Sequence, residues 1–521
     1  MIRVQVDREF LPWYGGIKLL PLLKLDDFLL DRCEVTNRQY KKFLDEGGYQ
    51  RPEFWKQPFT RDGKEVPWEE AIKSFVDKSG RPGPATWELA DYPAGQDDYP
   101  VCGVSWYEAS AYAEYAGKSL PTIFHWRWAA GDHDYPDSLD MGYIVPLSNF
   151  GGRGPTPVGR TQGMSPLGAY DMAGNVKEWC WNETSDGKKG SVGGGWDEPN
   201  YMFGEFDRYP AWFRSPNFGF RCIKYLTQSP VEIEAAKPVP LEPLPAPTVL
   251  EPCSDELYQA YMKFFEYAKS PLNPRVEERE EYSRYTAFER VSFDPAYVGD
   301  RMGAALFIPK EGKRPFQTII HWPGSAARDV KSVSEYGPKD GFDYLTKTGR
   351  AVVLPILGGT FGRQWKPEVK AKTTGQERFM NTVKDFLRTV DYLETRPEFD
   401  TKKLAYEGLS WGAGLGSIIP SIEKRIKAII LMGAGFYSRN PPHINPINLA
   451  PRITVPILIQ NGKHDFAISV EKQLNPLIRL FGTPDKDKHL KLYESGHSVW
   501  LRMEQKRDEL DFLDKVFGPA K

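Results

Sequence analysis

The stretch from Thr227 to Pro252, TQSPVEIEAAKPVPLEPLPAPTVLEP, carries seven prolines, no glycine and no aromatic residue. Repeated X-Pro steps favour extended backbone and remove hydrogen-bond donors, so no single core can run through it. It reads as a semi-rigid linker and divides the 521 residues into three parts: a first domain over 1–225, the linker over 226–252, and a second domain over 253–521. Each domain is long enough for a core of its own.

Composition narrows the partners. The 68 Lys and Arg against 70 Asp and Glu leave a net charge of −2, which gives no electrostatic reason to expect nucleic acid or an anionic membrane. No run approaches the 18 or so apolar residues of a membrane span. The amino terminus, MIRVQVDREFLPWYGG, lacks the basic, apolar and small-residue zones of a secretory signal. A soluble, cytoplasmic protein is expected, or an extracytoplasmic one if a longer parent carries the targeting segment. Five cysteines without a C-x-x-C spacing argue against a disulfide scaffold or a structural zinc site.

The second domain has βα periodicity. TIIHW (Thr318–Trp322), AVVLPIL (Ala351–Leu357), KLAYEG (Lys403–Gly408), KAIILMG (Lys427–Gly433) and VPILIQNG (Val455–Gly462) read as buried strands. The apolar stripe Phe379, Val383, Phe386, Leu387, Val390 and Leu393 reads as a helix ending before Pro397. Strands alternating with helices predict a mostly parallel sheet covered on both faces. The first domain offers two early helices, Thr36–Leu44 and Ser105–Ala116, the latter with a Ser105/Glu108 capping box. After Gly131 it is glycine-rich, aromatic and aperiodic, so a loop-rich α+β domain is expected.

The sharpest chemical signal is Gly408-Leu409-Ser410-Trp411-Gly412 between a predicted strand and a predicted helix. Such a turn exposes a serine on strained backbone, with flanking glycines giving neighbouring elements room. Asp465 in NGKHD and His497 in SGHS follow further predicted strands, where open α/β sheets place their sites. Serine, acid and histidine in that order suit a nucleophile, an orienting carboxylate and a general base. His464 competes as base and Glu494 as acid. Trp411, Phe466 and Trp500 suggest aromatic lining, and the proline-rich segment from Gly433 to Thr454 a small lid.

These motifs resemble the α/β-hydrolase superfamily over roughly Arg284 to Ala520. The resemblance implies an eight-stranded, mostly parallel sheet and acyl transfer to water through Ser410, His497 and Asp465. It also implies an oxyanion site formed by backbone N–H groups, one from Trp411. The family's His-Gly-Gly is replaced by His321-Trp322-Pro323-Gly324-Ser325-Ala326. Since Pro323 has no N–H, the second donor is expected at Ser325 or Ala326. A small carboxylic ester is the expected substrate, with no cofactor for its hydrolysis. The alternatives are a serine peptidase of prolyl-oligopeptidase type and a non-enzymatic binding or signalling module with a relic hydrolase domain.

In the first domain, the ordered motifs DRCEVTN (from Asp31), PVCGVSW (from Pro100), GAYDMAGNVKEW (from Gly168), GGGW (from Gly193) and GFRC (from Gly219) resemble the formylglycine-generating, or sulfatase-modifying factor, family over Leu25 to Tyr225. That resemblance implies a loop-rich, C-type-lectin-like fold. The family's oxidase chemistry needs copper on two cysteines, yet the matching positions hold Glu198 and Phe203. Thiolates are the soft ligands such a site requires, and an iron centre lacks histidines, so neither metal centre is expected. Asp171, Gly174, Val176 and Glu178 match the family's calcium segment, so bound calcium is an expectation. What remains for this domain is a structural role or the binding of a protein or glycan partner.

Overall fold

The computed structural model describes residues 1–520 except 13, 15–16, 18–19, 62, 132–143, 228, 242–250, 298–300, 329, 337–340, 437–439, 466, 498 and 500–502. The chain divides into two compact units, Met1–Pro243 and Leu244–Lys521.

The first unit has little regular structure. Strands β1 (Ile2–Val4) and β2 (Phe28–Leu30) open it, followed by helices α1 (Asn37–Asp45), α2 (Trp106–Tyr115) and α3 (Ile123–Ala130). A small hairpin pairs Phe59–Arg61 with Lys64–Val66, and strands β3 (Lys177–Glu183), β4 (Lys189–Val192), β5 (Asp207–Tyr209), β6 (Phe218–Gly219) and β7 (Ile223–Tyr225) follow. They form a four-stranded sheet in the order β5-β4-β3-β6 and a three-stranded sheet β1-β2-β7. Both expected helices are present, each started by a reciprocal capping box, Thr36 with Gln39 and Ser105 with Glu108. Helix α3 carries no amphipathic signal because all eight of its residues are buried, and a helix buried all round shows no stripe. Aromatic rings do the packing that regular elements would otherwise do. Phe75 stacks between Trp55 and Trp212, both with centroids 5.3 Å away.

The proline-rich segment departs from the expectation of a linker throughout. Pro230–Ala235 is a short helix, α4, begun by Pro230 at its first position. Asn182 Nδ2 donates to the carbonyls of Ala235 and Lys237, and Val239 N–H donates to Glu183 O. Ala235 and Val239 are buried in the first unit's core. Apolar side chains and free carbonyls let this part of the segment dock. Residues 242–250 lie outside the described set.

The second unit is built on one sheet. Its strands are β8 (Arg275–Glu281), β9 (Thr286–Phe293), β10 (Met302–Pro309), β11 (Phe316–Trp322), β12 (Ala351–Ile356), β13 (Phe399–Leu409), β14 (Ile426–Met432), β15 (Ile457–Gly462) and β16 (Lys488–Tyr493). The spatial order is β8-β9-β10-β12-β11-β13-β14-β15-β16. Pairing is antiparallel from β8 to β12 and parallel from there to β16. The sheet therefore has nine strands among the described residues, not eight. The addition is the edge strand β8, RVEEREE, every residue of which is exposed. Its charges suit an edge that must not recruit another strand.

Alternation sets the two faces. Ile320, Trp322, Leu404, Tyr406, Ile429 and Leu431 point into one core with Val383, Phe386 and Val390 of helix α5 (Gly375–Glu394). Their neighbours Ile319, Ala405, Ile430 and Leu458 face the other core with Phe512 and Leu513 of helix α7 (Met503–Phe517). Burial on both faces explains the near-continuous apolar runs in the sequence. Between them, helix α6 (Trp411–Leu415) follows β13 directly. Among the described residues, no helix is long and apolar enough to cross a membrane.

Candidate active site

Strand β13 lies at the middle of the parallel region, between β11 and β14, and delivers Ser410 at its carboxyl end. Ser410 has φ 49° and ψ −102°, a strained conformation for a residue with a Cβ. Its N–H donates to Met432 O at 2.8 Å, and its carbonyl accepts from Gly414 N–H at 3.0 Å. The glycines on either side are steric necessities. A Cβ on Gly412 would stand 2.2 Å from Trp322 O, and one on Gly408 would stand 2.4 Å from Gly412 O.

Asp465 follows β15 and His497 follows β16. Asp465 Oδ1 accepts the N–H groups of Ala467 and Ile468 at 2.8 and 2.9 Å, which fixes the carboxylate. Its Oδ2 lies 2.8 Å from His497 Nδ1, and His497 Nε2 lies 2.8 Å from Ser410 Oγ. A carboxylate on Nδ1 holds the proton there and leaves the Nε2 lone pair facing the serine hydroxyl. Asp465 and His497 are 6% and 5% exposed, while Ser410 is partly exposed.

The competitors are elsewhere. His464 Nε2 pairs with Glu494 at 3.1 Å on an exposed edge, where Lys463 also meets Glu494. His443 packs beside Tyr261 and Phe264, and His489 lies next to Lys515. In the segment after Gly433, Ile444, Leu449, Ala450 and Ile453 are buried in the unit's own core, and residues 437–439 lie outside the described set. Phe466 and Trp500 lie outside the described residues.

Trp411 N–H opens the first turn of α6, where no intrahelical acceptor exists for it. Beyond the end of the neighbouring strand β11, Ser325 begins a 3₁₀ turn, Ser325–Arg328. Gly324 N–H is taken by the Tyr336 hydroxyl at 2.7 Å, which leaves the amides of Ser325 and Ala326 at the head of that turn. The Arg328 guanidinium sits 4.1 Å above the Trp411 ring.

Two features of this unit escaped the motif reading. One is Tyr336. The other is a buried cluster: His321 Nδ1 is 2.5 Å from Glu407 Oε1, and the second Glu407 oxygen and Glu509 Oε1 are buried with no N–H donor on either, the two carboxyl groups facing each other. Burial lowers the His321 pKa to about 4 and raises that of Glu407 to about 7. Glu509 is also pushed well up by burial. These residues meet through strand register (His321 opposite Glu407), which no spacing in the sequence displays.

In the first unit, both candidate oxidase positions are filled by non-thiol groups. Glu198 accepts from Lys177 Nζ at 2.8 Å and from Gly195 N–H at 2.8 Å, and Lys177 also bonds Asp207. Phe203 is fully buried. The calcium expectation meets a similar difficulty. Glu178 is bound by Arg221 through both oxygens, at 2.6 and 2.7 Å, and by Trp126 Nε1 at 2.9 Å. Asp171 accepts from Gly159 N–H and the Thr161 hydroxyl. Gly174 and Val176 share this stretch, but the carboxylates on either side are already satisfied by protein donors. Among the described residues, no group of three or more His, Cys, Asp or Glu is disposed to hold a metal. Both carboxylates of the expected calcium segment are thus engaged by protein donors in this structure.

Residues 21–226 match the sulfatase-modifying factor enzyme 1-like domain, and residues 345–510 match the dienelactone hydrolase family. The chain is similar to the serine/threonine-protein kinase pkn1 of Chlamydia pneumoniae, 35% identical over 166 residues, covering 31% of this chain and 24% of the kinase. It is also similar to the formylglycine-generating enzyme of Thermomonospora curvata, 31% identical over 184 residues, covering 30% of this chain and 60% of that enzyme. It thus spans less than two thirds of either relative. An acetyl xylan esterase from Paenibacillus sp. R4 aligns at 15% identity and a TM-score of 0.43, over 52% of this chain and 97% of that one. The chain carries an N-terminal sulfatase-modifying-factor-like domain and a C-terminal dienelactone-hydrolase-family domain.

Proposed function

We propose that the second unit is a serine esterase that hydrolyses small carboxylic esters through an acyl-enzyme. The observation that carries this reading is His497 bridging Asp465 and Ser410 at 2.8 Å on each side. Ser410 Oγ attacks the ester carbonyl carbon while His497 Nε2 takes the hydroxyl proton. The tetrahedral oxyanion is held by Trp411 N–H and by Ser325 or Ala326 N–H. Collapse breaks the ester C–O bond, and His497 returns the proton to the departing alcohol. A water then gives a proton to His497 and attacks the acyl carbon; collapse breaks the bond from that carbon to Ser410 Oγ, His497 returns the proton to Oγ, and the acid leaves. Asp465 orients the ring through Nδ1 and stabilises the imidazolium in both halves.

The first unit has no oxidase role in this reading, since Glu198 and Phe203 replace the cysteine pair. It serves as structure or as a binding module for a protein or glycan. The test of the esterase is turnover of short-chain aryl esters by the full chain and by Ser410→Ala. The reading requires turnover by the former and its loss in the variant, with an unchanged melt. Wild-type turnover in the variant contradicts it.

A further inference from the structure

The segment after β11 is held in place from several sides. Gly324 N–H donates to the Tyr336 hydroxyl at 2.7 Å. Phe361 N–H donates to Ala327 O at 2.8 Å, and Gln364 Nε2 to Arg328 O at 3.1 Å. The Tyr336 ring stands edge-on to Phe361, centroids 5.4 Å apart and planes at 89°, so its hydroxyl has a fixed address. A Cβ on Gly324 would be 3.6 Å from both Leu409 Cγ and Tyr336 Oη. Leu409 precedes the nucleophile and clusters with Met432, Tyr493 and Val499. The pinned peptide therefore lies against the elbow and, through Leu409, against the loop that carries His497.

One consequence is chemical. An N–H that donates to a protein hydroxyl is withdrawn from the set that can face an oxyanion, and the next peptide, Gly324–Ser325, is restrained at both ends, by that anchor and by Ala327 N–H donating to Gly324 O at 3.2 Å. Donors stabilise a developing oxyanion only when they are already aimed at it. Resting on the esterase reading above, we infer that Tyr336 is a positioning residue: its hydroxyl anchors Gly324 N–H and thereby aims Ser325 N–H into the oxyanion site. Of the three hydrogen bonds above, this one can be deleted by removing a single oxygen while its aromatic ring keeps its packing.

The test is Tyr336→Phe in the full chain, with p-nitrophenyl acetate as substrate. Loosening an aligned donor is expected to lower kcat about 10- to 100-fold. KM and the melting temperature should stay near their wild-type values. The rate of Ser410 modification by a fluorophosphonate should fall in parallel, because its phosphoryl oxygen uses the same donors. Counting active sites by burst amplitude removes any contribution from misfolded protein. A second variant, Ser325→Pro, deletes the N–H itself at a first-turn position that tolerates proline, and should also depress kcat. Because both changes act through one N–H, the double variant should be no slower than Ser325→Pro alone.

Wild-type kcat and labelling in Tyr336→Phe overturn the inference, as does a rise in KM alone. Losses that multiply in the double variant also overturn it. If Tyr336→Phe does not fold, unchanged kcat in Ser325→Pro has the same force. Failure of the esterase reading is separate, because it appears as retained turnover in Ser410→Ala.

Discussion

Gly433 lies against His497: a Cβ at this position would stand 3.0 Å from the imidazole Cε1. The glycine follows β14 at φ +70° and donates its N–H to Gln460 O at 3.0 Å. Gly433→Ala thus imposes left-handed strain of about 1–3 kcal/mol and displaces the base by tenths of an ångström. We predict that kcat falls about tenfold or more, while the melt drops by a few degrees. Steady-state kinetics beside a thermal scan check this, and full activity in the variant contradicts the placement of His497.

The His321–Glu407–Glu509 cluster predicts a pH dependence of stability. Glu407 titrates near 7 in the fold against about 4.5 in the unfolded chain. Its contribution is fully present below pH 4.5 and is lost as pH rises through 7. His321, lowered to about 4, has the opposite sign: its contribution is present above 6.5 and is lost as pH falls through 4. The groups facing Glu407 are His321 and Glu509, with Tyr344 and Gln505 bonded to Glu509. Glu407→Gln removes one of the two slopes of its sign, the other being that of Glu509, which burial also pushes well up, and leaves the opposite slope of His321. The stability of the variant relative to wild type should climb by about 3 kcal/mol between pH 4.5 and 7. Parallel pH profiles, measured by denaturant unfolding, contradict this.

Lys177 is the cation of a buried triad with Glu198 and Asp207. Lys177→Met strands two buried carboxylates, and removing one partner of such a group costs about 3–5 kcal/mol. The unfolding transition of the first unit should move accordingly, followed through its tryptophans. A change under about 1 kcal/mol is the range of a surface pair and contradicts the buried assignment.

Glu178 is committed to Arg221 and Trp126, so calcium is not needed to neutralise it. The melting temperature of the full chain should be the same with added calcium and with excess chelator. A stabilisation that grows with calcium concentration is the signature of ligand linkage and would show that these side chains rearrange around the ion.

The sequence made the nucleophile and its partners legible because each sits at a strand end marked by its own local pattern. Gly408 and Gly412 beside Ser410 are required by the elbow, Asp465 follows the apolar run PILI, and His497 follows the alternating strand KHLKLY. The core of the second unit was legible for a related reason: strands buried on both faces are written as continuous apolar runs. Helix α3 and the docking of α4 were hidden, since IFHWRWAA is buried on every side and PVEIEA owes its helix to tertiary contacts. Tyr336 and the His321–Glu407 pair were hidden more deeply. Their partners are set by register and by a loop 12 residues away, and neither leaves a periodic trace.

The most direct test of the esterase account is reaction of the full chain with a fluorophosphonate, followed by peptide mapping. The account predicts one labelled residue, Ser410, with labelling abolished in Ser410→Ala and strongly slowed in His497→Ala. Labelling at another serine, or undiminished labelling when His497 is replaced, would contradict it.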